Sequence, residues 1–231
     1  MLSALKTLTR GLALAAAALF APIAAQAEGG TLRYAAVSEP APLDMMLTTA
    51  GVSLTIGMHI FEALYTVDSH FEPQPMLAEG ETISDDGMTI VITLRQGVHF
   101  HNGKEMTSAD VVSSVRRWGK YGVRGKLLMV EGASIDATGP YEVTLKLPAP
   151  NGAWKNLLGH LEGGAAIYPS EIADKATDKP IEQVDYIGTG PYKFNEWRPN
   201  RYVEVVRFDG YNSRTNPSDG YSGERKANFD A

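Results

Sequence analysis

No cysteine occurs among the 231 residues of this chain. That excludes disulfides, thiolate metal ligands and a cysteine nucleophile, and leaves stability to an ordinary hydrophobic core. A Gly-x-Ser-x-Gly elbow and a His-Glu-x-x-His helix are also missing, which removes two common hydrolase signatures. There is no internal repeat and no low-complexity tract. Positive charge is in deficit, with 21 Lys and Arg against 27 Asp and Glu and a formal net charge of −6. Such a chain is a poor candidate for nucleic acid or for anionic membrane surfaces, and neither partner is expected.

Only one long apolar run is present, Gly11–Ala25. Lys6 and Arg10 precede it, no acidic residue does, and the small-x-small triplet Ala25-Gln26-Ala27 follows. The run is too short for an ordinary spanning helix and has no polar face, so residues 1–27 read as a secretory signal peptide. No Arg-Arg pair stands before it and no cysteine after it. The expectation is general secretion of a protein that begins near Glu28, works in a periplasm-like space and is not lipid-anchored.

The most ordered signals lie between Asp85 and Trp118. Asp85-Asp86-Gly87 is turn chemistry, with glycine free to take positive φ. Met88, Ile90, Ile92 and Leu94 then alternate with Thr89, Val91 and Thr93, the period of a strand with one apolar face. Gly97 breaks the run, Val98 and Phe100 resume it as a second short strand, and Asn102-Gly103 turns the chain. Thr107 with Asp110 forms a capping-box variant, Met106 can staple on Val111, and Val111, Val115 and Trp118 make one helical stripe. Elsewhere, strands are expected at Thr31–Val37, Glu142–Leu147, Tyr192–Trp197 and Arg201–Phe208. Helices are expected within Ser53–Tyr65, Ala153–Leu161 and Glu171–Lys175. From Asn212 onward no apolar period exists, and that tail is expected to be poorly ordered by itself.

Three segments in order resemble the family 5 extracellular solute-binding proteins, the peptide- and dipeptide-binding receptors of ABC importers. They are Gly30–Ala35 with Pro42-Leu43-Asp44, the run from Asp85 to Val111, and Ile187–Phe194 with Trp197 and Tyr211-Asn212. The resemblance implies an α/β, mixed α+β fold: lobe one of a periplasmic-binding-protein-like clamp with an appended β-rich subdomain. The family is more than twice this length, so the second lobe is expected to be missing and the chain to be a fragment or a truncated relative. The expected units are a main lobe starting at 28–66, the subdomain at 67–185, a return to the main lobe at 186–212, and a tail at 213–231 leading toward the second lobe. The implied function is a non-enzymatic receptor that captures peptides or related small solutes and delivers them to a membrane permease, as a monomer and without cofactor. The alternative is a secreted hydrolase with a carboxylate- or metal-based cleft.

Ligand contacts are sought in loops at strand ends, where open α/β sheets place their clefts. The loop after the first strand supplies the candidates Ser38, Glu39, Pro40 and Leu43, with Glu39 suited to a peptide's α-ammonium. The competing reading is a rigid turn shaped by Pro40 and Pro42 and capped by Asp44. His99 and His101 share a strand face but lack a third ligand, so they read as a solvent-facing pair and no metal is expected. Gly188-x-Gly190 precedes a strand, not a helix, so it reads as a tight crossing back to the main lobe and not as a phosphate loop. Phe61, Trp118 and Tyr192 fall on apolar faces and read as core. The carboxylate pairs Asp85/Asp86 and Glu79/Glu81 read as solvated.

Overall fold

Thr107 and Asp110 start the longest helix as the sequence requires. In a computed structural model describing residues 29–231, the Thr107 N–H donates to Asp110 Oδ2 at 2.9 Å and the reciprocal bond completes the box. The leader expected at 1–27 falls outside the described residues. Among those residues no helix is long and apolar enough to cross a membrane.

Helix α1 spans Gly51–Ile60, and α2, the capped helix, spans Ser108–Tyr121. A four-stranded antiparallel sheet has the order β3 (Ala78–Ile83), β4 (Thr89–Leu94), β6 (Glu142–Lys146), β5 (Ser134–Gly139). Ile90 opposes Leu145 and Ile92 opposes Val143 across the β4–β6 ladder, and all four are fully buried. Helix α2 packs on β5 and β6 through its Val111, Val115 and Trp118 stripe, each with no exposed surface. Burial of each such side chain contributes about 1.5–3 kcal/mol. Two small antiparallel pairs flank this unit: β1 (Tyr65–Val67) with β2 (Pro73–Pro75), and β7 (Tyr192–Arg198) with β8 (Tyr202–Arg207). Short helices α3 (Gly125–Leu128), α4 (Trp154–Leu158) and α5 (Ser170–Ala173) fill the remaining edges.

Several expectations need correction. Thr31–Val37 forms no strand. Its backbone pairs only at its start, where the Leu32 N–H donates to the Ala231 carbonyl at 2.8 Å. Leu32, Tyr34 and Val37 are 62%, 74% and 93% exposed, so the alternation finds no layer to cover it among the described residues. Val98–Phe100 makes one isolated bridge, His99 to Glu105, because the Asn102-Gly103 turn folds it straight back.

The tail is docked and not loose. Arg95 donates to the Asn212 carbonyl at 2.7 Å, Arg214 to the Met76 carbonyl at 3.1 Å, and Arg225 to the Met58 carbonyl at 2.7 Å. Guanidinium forks bonding main-chain carbonyls do here what an apolar stripe does elsewhere.

Candidate functional site

Two loops and one hairpin meet around an open groove of about 630 Å³, a size suited to a small ligand. Pro42 comes from the loop following Thr31–Val37, Ile181, Val184 and Tyr186 from the stretch before the Gly188-Thr189-Gly190 crossing, and Trp197 from β7. Glu182 and Gln183 complete the rim, so no lining side chain is cationic.

The four loop residues named from sequence land differently. Ser38 and Glu39 are exposed and Pro40 is half-buried. Leu43 is fully buried in the core, and its N–H is held by the Tyr186 hydroxyl at 3.0 Å. The Glu39 carboxylate is already engaged, accepting from Trp197 Nε1 at 2.8 Å and from the Asn200 N–H at 3.1 Å. Asn200 sits at the hairpin tip with φ of 61°. Glu39 therefore ties the loop to the β7–β8 hairpin and fixes the indole of Trp197.

Asp44 is the group that sequence reasoning undervalued. It lies at the centre of a buried network, accepting from Arg117 at 2.6 and 3.1 Å, from the Ile181 N–H at 3.1 Å and from the Tyr168 hydroxyl at 3.3 Å. Arg117 and Asp44 side chains are 2% and 1% exposed. A buried pair of this kind is a weak source of net stability but costs heavily when one partner is removed. Its consequence is geometric: one carboxylate stitches the 42–48 loop to the 177–186 stretch that forms the far side of the groove.

The crossing behind the groove is set by close backbone contact. A Cβ on Gly188 would lie 2.0 Å from the Ile60 carbonyl, and one on Gly190 2.4 Å from the His59 carbonyl. Thr189 is buried and donates to Glu62 Oε2 at 2.9 Å; Tyr211 and Arg225 bind the other oxygen at 2.8 and 3.3 Å. His101 is not solvent-facing as the sequence implied. Its Nδ1 accepts the Gly188 N–H at 3.2 Å and its Nε2 lies 3.0 Å from the Gly190 carbonyl. That pattern requires the neutral ring with the proton on Nε2. Burial pushes its pKa down to about 4, the Gly190 carbonyl pulling the other way and Lys193 adding to the fall. His99, by contrast, is exposed and bonds the Gly97 carbonyl at 3.1 Å.

One group could hold a cation among the described residues: Asp68, His70 and Asp219 have ligand atoms within 4.8 Å of one another. Asp68 is largely spent as a turn cap, since it accepts from the N–H groups of His70 and Glu72 and from Gln74. It lies apart from the groove-lining residues. Phe61 and Trp118 are core, as expected; Tyr192 is half-buried, edge-on to His59, with its hydroxyl accepting the Phe229 N–H.

A model of the bacterial extracellular solute-binding proteins, family 5 Middle, matches residues 72–231, and the chain belongs to that family. Among curated relatives, the probable peptide ABC transporter periplasmic-binding protein y4tO of Sinorhizobium fredii is 33% identical over 227 residues, covering 96% of this chain and 41% of that protein. The glutathione-binding protein GsiB of Salmonella paratyphi A is 32% identical over 162 residues, 69% of this chain and 31% of that protein. Among solved structures, the oligopeptide-binding protein AppA from Bacillus subtilis, in complex with a nonapeptide, matches with a TM-score of 0.69 at 28% identity. That match covers 80% of this chain and 37% of AppA. The chain thus spans between 31% and 41% of the length of these relatives. All three are named as binding proteins, and the hydrolase alternative finds no support among them.

Proposed function

We propose that this chain supplies the first lobe, with an appended subdomain, of a periplasmic receptor that captures peptides or related small solutes for an ABC importer. Residues 28–66 and 186–212 belong to the main lobe on this reading, 67–185 to the subdomain, and 213–231 leads toward a second lobe. The leader at 1–27 is cleaved, the protein is not lipid-anchored, and it acts as a monomer that binds without catalysis and hands its solute to a membrane permease. The single observation that carries the reading is the family match, joined to a groove open on one side whose walls are tied by Glu39 and Asp44.

An open groove contributes one face of a clamp. Small ligands in tight sites bury roughly 70–90% of their surface, which requires a second face. If each face supplies half of a micromolar binding free energy, about −8 kcal/mol, one face alone gives about −4 kcal/mol, or millimolar affinity.

The test is native mass spectrometry of solutes carried through purification of the complete secreted protein. A co-purified peptide or peptide-like conjugate at one per protein supports the receptor. Turnover of peptides or esters by the pure protein, with no retained solute, overturns it.

A further inference from the structure

The groove's lining divides the solutes that a receptor of this kind would accept. Resting on that reading, we infer that Trp197 is the residue contacting the solute and that the groove selects an apolar or aromatic side chain carrying no negative charge. Glu39 then acts as the positioning residue for Trp197, not as the partner of an α-ammonium.

Three observations converge. First, Trp197 is the single tryptophan with solvent access: Trp118 and Trp154 are 0% and 5% exposed, whereas Trp197 is half-buried at the groove. Its indole N–H is consumed by Glu39 at 2.8 Å, so the ring is left to offer area and a π-face, with little rotamer entropy still to lose on contact. Second, the remaining walls offer the apolar side chains of Pro42, Pro180, Ile181, Val184 and Tyr186. Val184 is 77% exposed and free to cover a ligand. Third, the one charged side chain lining the groove, Glu182, is acidic, and Glu39 stands beside Trp197. A solute carboxylate entering here meets no cation among the lining side chains and is desolvated without a partner. A negatively charged side chain is therefore rejected and an aromatic one retained.

The experiment is a nitrogen-15 NMR titration of the complete secreted protein with two tripeptides, Ala-Phe-Ala and Ala-Asp-Ala. The Trp197 indole N–H signal is assigned by Trp197→Phe. The expected result is a saturable shift of the Trp197 signal with Ala-Phe-Ala, at least fivefold tighter than with Ala-Asp-Ala. Glu39→Ala weakens that binding about tenfold, and Glu39→Gln, which keeps an acceptor oxygen, restores most of it. Equal or tighter binding of the aspartyl peptide, or shifts confined to residues away from Trp197, overturns the inference while leaving the receptor reading intact. No shift with either peptide overturns the inference as well; the receptor reading is then decided by the co-purified solute.

Discussion

The Nε2–H of His101 donates to the Gly190 carbonyl at 3.0 Å, joining the turn before α2 to the segment that leads into β7 across 89 residues of sequence. Because Nδ1 simultaneously accepts from Gly188, the ring can do both only when neutral.

Acid should therefore loosen this junction. The pKa of about 4 in the folded protein lies below the ordinary imidazole value of 6.5, so the folded state favours the neutral form. The stabilisation is complete above about pH 6.5 and is lost as pH falls through about 4. The full effect is about 3 kcal/mol. Urea unfolding at pH 7 and pH 4 checks it: the wild type should lose about that much more than His101→Gln over the same interval. Equal losses in the two proteins would refute the role of His101.

Steric fit at the crossing gives a second test. Gly188→Ala and Gly190→Ala place a Cβ against carbonyl oxygens at 2.0 and 2.4 Å and should each cost about 3 kcal/mol or more, within the range of severe single substitutions. Gly51→Ala, in the first turn of α1 with open space around its Cβ, should be neutral or stabilising by up to about 1 kcal/mol. Thermal unfolding of the three variants separates local crowding from a general intolerance of alanine.

The buried pair makes a third prediction. Asp44→Ala leaves Arg117 charged and unpaired in the core and should cost about 3–5 kcal/mol. Asp44→Leu combined with Arg117→Met should cost clearly less than the sum of the two single changes, as measured by a double-mutant cycle in denaturant. Additivity would show that the two residues act separately.

Local rules reached much of this molecule and failed where partners are distant. The capping box at Thr107, the Met88–Leu94 alternation and the β7–β8 hairpin are each specified by residues close together in sequence, and the structure forms each of them. Strand β5 went unseen because Ser134–Gly139 buries only Ile135 and so carries no period. The alternation at Thr31–Val37 looked like a strand because periodicity reports potential faces and not the presence of a neighbour. The tail looked loose because its anchors are arginines reaching main-chain carbonyls more than a hundred residues away, a pairing no local pattern encodes.

At the candidate site, the sequence points to the Ser38–Asp44 loop but not to the contacts made within it. Glu39 reads as a free carboxylate until Trp197 is seen beside it, and Leu43 reads as loop although it has no exposed surface. Asp44 reads as a cap, whereas its partners Arg117 and Ile181 arrive from 73 and 137 residues away. Trp197 enters the sequence reading only as part of a family segment.

The account's central claim is that these residues furnish one face of a two-faced solute clamp. Isothermal titration calorimetry of the 29–231 chain with Ala-Phe-Ala tests it most directly. The account predicts binding no tighter than about millimolar, near −4 kcal/mol. A micromolar dissociation constant for this chain alone would show a self-sufficient site and contradict it.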